Sequence, residues 1–368
     1  MKVLVTGGGT GGHIYPALAI ARKIKMEYKN ADILYVGTEK GLEAEIVPKE
    51  GFNFRTIRVM GFSRKVSKDT FKSIKELLLG LNDAKRVIKD FKPDIVIGTG
   101  GYVCGPIVLT AALKKIPTMI HEQNAFPGVT NRILSRFVDK IAGSFEESSK
   151  FFKDSNKLVI TGNPIRQDII GLDKQIAYKE LNIDSSRPFV LSFGGSGGQK
   201  KLNDAMLDVI VKNNNNRSIQ IVHVTGKRLY ESFMNELKQK GVDKLIDNIR
   251  VYPYFFEVPK ALSIADLIIT SGGAIAIAEL TAVGIPSILI PKAYTTENHQ
   301  EYNARALEKK GASIVILEKD LNGELLNTEI INLLSDKRKL KDMSIRSKKM
   351  GITNADERIL NIIKELIR

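Results

Sequence analysis

The chain has 368 residues, too many for one ordinary hydrophobic core, so two domains of roughly 150–200 residues are expected. Hydrophobic residues make up 43% and charged residues 26%, an ordinary globular balance, and the single cysteine, Cys104, excludes an internal disulfide framework and suits a reducing cytoplasm. The net charge of +15 calls for an anionic partner; tryptophan is absent and the basic residues are not interleaved with stacking aromatics, so nucleic acid is not the expected one.

In chain order, no basic-then-apolar leader precedes the run Lys2–Thr6, so no secretory signal is expected. Short apolar runs then alternate with helical patterns. The strands predicted in the first half are Lys2–Thr6, Ile33–Val36, Phe54–Val59, Asp94–Gly98, Thr118–Ile120, Lys140–Ala142 and Leu158–Thr161. Those in the second half are Phe189–Phe193, Ile219–Val224, Ile249–Val251, Leu267–Thr270 and Ser287–Ile290. This alternation predicts an α/β fold with parallel, doubly wound sheets. The run Leu267–Pro291 carries one charge, Glu279, but Ser271-Gly272-Gly273 and Gly284-Ile285-Pro286 cut it into lengths too short to span a membrane.

The opening occurs twice. Lys2–Thr6 runs into Gly7-Gly8-Gly9-Thr10-Gly11-Gly12 and a helix; Phe189–Phe193 runs into Gly194-Gly195-Ser196-Gly197-Gly198 and a helix. Each begins a fresh set of strands, so two similar domains are expected, 1–162 and 163–351, with the seam near Gly162-Asn163-Pro164-Ile165-Arg166. By pattern the final helix, about 356–367, fits either domain; the segment 352–368 is assigned to the first.

Gly7, Gly9 and Gly12 satisfy a dinucleotide-binding glycine spacing, but Val36 is followed by Gly37-Thr38 rather than an acidic residue, which argues against an oxidoreductase. Such a turn lets the backbone approach an anionic or polar ligand, or is only a tight turn. His13 sits at the helix start, where positive dipole character favours the neutral base; it is either a proton acceptor or a polar residue that merely hydrogen-bonds the loop. The second turn resembles an anion nest and is not a Walker A loop, since Gln199 stands where its second glycine belongs. The chain contains no Asp-x-Asp pair, so a diphosphate site without a metal or other cofactor is expected. Glu279 is the only charge on its predicted helix; it either accepts from a ribose diol or forms a salt bridge with a Lys or Arg. His121-Glu122-Gln123-Asn124 is not a zinc motif, because Ala125 occupies the second histidine's place. Asn298-His299-Gln300-Glu301-Tyr302-Asn303 lies beyond a strand's C-terminal end, and its amides suit sugar hydroxyls.

Residues 64–92 hold nine Lys or Arg against four Asp or Glu. A helical wheel puts Ile74, Leu77, Leu78, Leu81, Ala84 and Ile88 on a core stripe and leaves Leu79 outside it with Lys72, Lys75 and Arg86. That face is either an interfacial membrane contact or a solvated surface with one stray leucine.

Taken together, the pieces resemble the MurG family from Lys2 to about Gly311: Gly8-Gly9-Thr10-Gly11-Gly12-His13, Gly98-Thr99-Gly100-Gly101-Tyr102-Val103, His121-Glu122-Gln123-Asn124 and Gly162-Asn163-Pro164-Ile165-Arg166, then Gly194-Gly195-Ser196, Gly273-Ala274 with Glu279, and Asn298-His299-Gln300 with Asn303. The resemblance implies a GT-B arrangement, two Rossmann-like domains with parallel sheets facing a central cleft. It implies inverting transfer of N-acetylglucosamine from UDP-N-acetylglucosamine to the 4-hydroxyl of undecaprenyl-pyrophosphoryl-muramoyl-pentapeptide. The enzyme would rest peripherally on the anionic cytoplasmic face of the cell membrane. The first domain would take the acceptor and the membrane, the second the UDP-sugar.

By the same resemblance His13 is catalytic, and Thr10, Gly11, Gly12, Asn124, Arg166, Ser196, Phe255, Ala274, Ile275, Glu279 and Gln300 bind the donor. Glu279 would take the ribose, Ser196 and Arg166 the diphosphate, Asn124 and Gln300 the sugar; Phe255 would flank the uracil. Gly9, Tyr102, Glu122 and Asn303 would line the acceptor side or cleft. Lys72, Lys75, Leu79 and Arg86 would touch the membrane, and no residue binds a metal. The chain departs from the family at Gly197, where a glutamine is usual, at Ala276, commonly threonine, and at Cys104, commonly serine. A diacylglycerol glycosyltransferase and a UDP-sugar 2-epimerase would share the glycine turns and the ribose carboxylate.

Overall fold

A computed structural model describes residues 1–61, 68–195 and 197–367; of 68–72 and 74 it describes only the backbone. The chain divides into two compact units, one of residues 1–164 and 354–368, the other of 165–353.

In the first unit seven parallel strands, β1 (Lys2–Thr6), β2 (Asp32–Gly37), β3 (Asn53–Thr56), β4 (Ile95–Gly98), β5 (Thr118–Glu122), β6 (Lys140–Gly143) and β7 (Leu158–Ile160), lie in the order β3-β2-β1-β4-β5-β6-β7. Its helices are α1 (Gly11–Glu27), α2 (Glu43–Lys49), α3 (Lys68–Phe91), α4 (Cys104–Leu113) and α5 (Val129–Leu134), and the last helix of the chain returns to it. The order reverses at β1 and β4, whose C-terminal ends carry the first two glycine turns, the place where doubly wound sheets bind ligands.

Alternation along each strand splits the core into two layers. Val3 and Val5 of β1 point to a cluster with Ile14, Leu18 and Ile24 of α1. Leu4 points the other way, to Ile88 of α3 and Ile107 of α4. Both faces are covered by helices, which is why these strands read as nearly continuous hydrophobic runs.

The second unit repeats the plan with six parallel strands, β8 (Phe189–Phe193), β9 (Gln220–Val224), β10 (Ile249–Tyr252), β11 (Leu267–Thr270), β12 (Ser287–Leu289) and β13 (Ser313–Val315), in the order β10-β9-β8-β11-β12-β13. Its helices are α6 (Lys174–Glu180), α7 (Lys200–Asn213), α8 (Tyr230–Gln239), α9 (Val258–Ile264), α10 (Ala274–Val283), α11 (His299–Lys309), α12 (Gly323–Ser335) and α13 (Lys337–Met350).

The apolar pattern predicts no strand at the edge strand β13. Three residues, half-buried at Ile314 and Val315, give too short an apolar run to stand out. β3 ends at Thr56 rather than Val59, since its partner β2 ends at Gly37, opposite Thr56.

The last helix, α14 (Ala355–Leu366), packs on α1 through Ile359, Leu360, Ile362 and Ile363, all buried. Full burial of such side chains is worth roughly 1.5–3 kcal/mol each. The flanking pairs Lys23–Asp356 at 3.2 Å and Lys140–Glu365 at 3.0 Å are partly exposed and add little. Among the described residues no helix is long and apolar enough to cross a membrane.

Candidate active site

In the first unit the turns after β1 and β4 interlock. Gly8 N–H donates to Gly100 O at 3.3 Å, and Gly9 N–H to Glu43 Oε2 at 3.1 Å. Glu43 is fully buried; its other oxygen accepts from Thr38 N–H at 3.0 Å and Thr38 Oγ1 at 2.8 Å. Three donors compensate the desolvated carboxylate, which thereby ties the turn after β2 to the first glycine turn. Thr10 caps α1 with extended backbone and, like Gly12, is open to solvent, while Gly11 is half-buried. The Tyr102 ring lies over Gly9, where an added Cβ would stand 3.3 Å from its Cε1.

His13 is held by Nδ1, which lies 3.0 Å from Thr99 O and 3.1 Å from Gln123 Oε1. Both are acceptors, so in the neutral ring the proton sits on Nδ1 and the lone pair is on Nε2. Gln123 is oriented in turn: its Nε2 shares two hydrogens among Thr99 O at 2.9 Å, His121 O at 3.0 Å and His121 Nδ1 at 2.9 Å. His121 then donates from Nε2 to Gly162 O at 3.2 Å; burial pushes its pKa down to about 4, so it stays neutral. Burial also lowers the pKa of His13, against the two hydrogen bonds that favour its charged form.

Gly100 makes this seating available. Its φ of +111° is poorly accessible to other residues, and an added Cβ would stand 2.7 Å from His13 Nδ1.

Glu122, expected on the acceptor side, is instead 1% exposed and turned back on its own loop. It accepts from Asn124 N at 3.0 Å, Asn124 Nδ2 at 3.2 Å, Gly128 N at 3.2 Å and Asn131 Nδ2 at 2.8 Å. It shapes the loop that presents the half-buried Asn124. Cys104 is buried against Gly100 and Thr6, and desolvation raises its pKa to about 12, so the thiol is inert.

In the second unit, Gly195 and Gly198 take φ of +81° and +73°, and Gly198 N–H donates to Gly195 O at 3.0 Å before α7 begins. Ser196, expected at the diphosphate, lies outside the described residues. The turn Ser271-Gly272-Gly273 leads into α10, whose first residues are Ala274, buried, and Ile275, half-buried. Gln300 packs its carbonyl against Gly272, where no side chain fits, and its Oε1 accepts from Lys292 N–H at 3.1 Å. Asn303, expected on the acceptor side or in the cleft, is fully buried and donates from Nδ2 to Gly272 O at 3.1 Å; it braces the turn.

Arg166 Nε stands 3.2 Å from Glu279 Oε1, so the salt bridge weighed for Glu279 exists and its partner is the arginine expected at the diphosphate. Oε2 of Glu279 has no partner among the described residues. The side chain is only 13% exposed, and burial raises its pKa, with Arg166 opposing and Asp168 adding to the rise. Phe255 stacks on Tyr252, ring centroids 5.1 Å apart, and lines a cavity of about 190 Å³ with Phe189, Val222 and Arg250. The exposed rings at that turn are Tyr254 and Phe256.

The face that α3 turns to solvent differs from the one the helical wheel predicts. Leu78, assigned to the core stripe, is 63% exposed, and Leu79 is half-buried. Packing of α3 on α4 sets the rotation, which a wheel alone leaves open. Lys75 and Arg86 are exposed, and the Lys72 side chain lies outside the described residues. No sequence pattern singles out Leu113, Ile133 and Phe137, which stand exposed on or beside α4 and α5, with Lys114, Lys115 and Arg136 nearby in the chain. A terminal or lone apolar residue on a short helix carries no periodic signal.

The family model of the Glycosyltransferase family 28 N-terminal domain matches residues 3–143, and that of the Glycosyltransferase family 28 C-terminal domain matches residues 189–359. A UDP-N-acetylglucosamine--N-acetylmuramyl-(pentapeptide) pyrophosphoryl-undecaprenol N-acetylglucosamine transferase from Acetivibrio thermocellus is 50% identical over 368 residues, covering 100% of this chain and 99% of its own. The crystal structure of Acinetobacter baumannii MurG superposes with a TM-score of 0.80 at 28% identity, covering 99% of each chain. A UDP-GlcNAc 2-epimerase from Neisseria meningitidis, solved bound to UDP-GlcNAc, is similar at a TM-score of 0.66 and 15% identity over 99% of this chain and 100% of its own, a likeness of fold alone. Matched along its whole length by such relatives, with glycine turns at the strand ends of two parallel sheets, the chain belongs to the MurG family, within glycosyltransferase family 28.

Proposed function

We propose that the protein transfers N-acetylglucosamine from UDP-N-acetylglucosamine to the 4-hydroxyl of the muramoyl sugar of undecaprenyl-pyrophosphoryl-muramoyl-pentapeptide, with inversion, in peptidoglycan synthesis. The observation that carries this is 50% identity along the full length of a transferase named for that reaction. The site chemistry agrees with it. His13 Nε2 takes the proton of the acceptor hydroxyl as the oxygen bonds to the anomeric carbon. The bond from that carbon to the β-phosphate oxygen breaks, its electron pair leaving with UDP. Gly195 and Gly198 shape a turn whose N–H groups offset the developing charge. Glu279, with Oε2 open, accepts from the ribose hydroxyls, and Gln300 of the same unit addresses the donor sugar.

In this reading the unit of 1–164 and 354–368 takes the acceptor and the unit of 165–353 takes the donor. The test is transfer of labelled N-acetylglucosamine to a short-chain polyprenyl acceptor with EDTA present. Labelled disaccharide is expected. UDP-N-acetylglucosamine binding without product would keep the donor and overturn the acceptor, and sugar epimerised with donor alone would favour the epimerase.

The same unit is assigned to the anionic cytoplasmic membrane surface as a peripheral contact. Its support is the run of exposed apolar residues Leu78, Leu113, Ile133 and Phe137 among lysines and arginines, on helices that pack in succession. Leu78→Glu and Phe137→Glu should each weaken binding to phosphatidylglycerol vesicles at least about tenfold, the burial of one such side chain. Turnover on a soluble acceptor should be unchanged. Vesicle binding that survives both substitutions would move the contact elsewhere.

A further inference from the structure

We infer that Lys292 is a phosphate-binding cation of the donor site, its ammonium placed to meet the diphosphate of the nucleotide sugar beside Gly195 and Gly198. The inference rests on the nucleotide-sugar reading above and adds to it a residue that no motif identified.

Lys292 follows Pro291 at the C-terminal end of β12, and its side chain reaches the second glycine turn. Its Nζ donates to Gly198 O at 2.9 Å, which fixes one of three N–H donors. The other two have no partner among the described residues. A Cβ built on Gly195 would lie 4.0 Å from Lys292 Nζ and 3.8 Å from Ser271 Oγ, so an ammonium and a hydroxyl both face the space that the missing side chain of Gly195 leaves open. Gly197 contributes no side chain there either, and nothing stands within 4 Å of where its Cβ would lie.

The mount is preorganised. Glu318 Oε1 accepts from Gln199 Nε2 at 2.8 Å while its Oε2 accepts from Ala293 N–H at 3.0 Å, tying the segment after β12 to the residue that caps α7. Lys292 N–H donates to Gln300, so the residue that presents the ammonium also positions an expected sugar contact.

The charge balance points the same way. Arg166 is engaged by Glu279 through Nε, whereas Lys292 Nζ stands 4.0 Å from where a Cβ on Gly195 would lie. Half-buried, the ammonium is poorly solvated, and desolvation lowers its pKa against the pull of Glu318; an incoming dianion replaces the lost hydration and restores the charged form. The same contact strengthens as the leaving UDP gains charge, so it favours the transition state as well as binding.

The experiment compares UDP affinity by calorimetry and uridine affinity by NMR titration in the wild type, Lys292→Met, Lys292→Gln and Lys292→Arg. In Lys292→Met, UDP should bind roughly 10- to 100-fold more weakly, the range of one charge-assisted contact, with uridine within twofold. Lys292→Gln, which keeps a donor for Gly198 O, should show the same loss if the methionine variant fails to fold. Lys292→Arg should recover most of the affinity. Unchanged UDP affinity in the methionine or glutamine variant would overturn the assignment. Equal losses for UDP and uridine would overturn it too, since they reduce Lys292 to a structural strut. A wild-type protein that binds neither UDP nor UDP-N-acetylglucosamine would remove the nucleotide-sugar reading and this inference with it.

Discussion

Replacing His13 with alanine should lower turnover by ~10²–10⁴, the usual contribution of a positioned general base, and leave the affinity for UDP-N-acetylglucosamine nearly unchanged. The split follows from the geometry. The imidazole belongs to the unit assigned to the acceptor, and its hydrogen bonds through Nδ1 to Thr99 O and Gln123 Oε1 leave Nε2 as the basic atom. Only the neutral ring can accept the proton. Burial is the main influence on its pKa and lowers it below the ordinary 6.5. Turnover in the wild type should therefore rise with pH through an apparent pKa below 6.5 and be level from about pH 7 upward. A rate profile whose acid limb falls at or above 6.5, or an alanine variant within about threefold of the wild type, would place the base elsewhere.

Glu279→Ala should weaken binding of UDP and of UDP-N-acetylglucosamine by about 2–3 kcal/mol, roughly 30- to 150-fold, as expected for a charge-assisted contact made by a poorly solvated carboxylate. One oxygen already accepts from Arg166 at 3.2 Å, which orients the group and leaves the other to receive the ribose hydroxyls. Burial raises the pKa of Glu279 above the usual 4.5, and the ionised form is the better acceptor. Donor affinity should accordingly fall as the pH descends through a value above 4.5, and this limb should vanish in the alanine variant. Glu279→Gln, which keeps an acceptor oxygen without the charge, should lie between the two. Titration calorimetry reads each of these, and a donor affinity unchanged in Glu279→Ala would take the carboxylate out of the ligand's reach.

The loops that hold these groups show which features local sequence can specify. The two glycine turns were legible because each follows a continuous apolar strand and opens a helix, a pattern complete within about twenty residues. His13 was legible as a helix-start histidine for the same reason. Its tautomer was not, since that depends on Thr99 and Gln123, which lie 86 and 110 residues away in the chain. Glu122 and Asn303 show the converse. Both stand in segments rich in ligand-type side chains, and both are spent on bracing their own or a neighbouring loop, because a buried carboxylate or amide must satisfy its hydrogen bonds with whatever backbone folds over it.

Alternation of apolar strands with helical patterns, periodic within each element, thus determined by itself the α/β class, the duplicated plan and the placement of the glycine turns at strand ends. Packing between elements far apart in the chain decided the rest. Contact of α3 with α4 turned Leu78 rather than Leu79 to solvent. Burial of Ile359 and Ile363 against α1 returned the last helix to the first unit. The meeting of Arg166 with Glu279, and of Lys292 with the carbonyl of Gly198, set which group each cation is held by. A periodic pattern needs only the dihedral geometry of one element, whereas a rotation about a helix axis, a tautomer or an ion pair is chosen by neighbours that only the folded chain brings together.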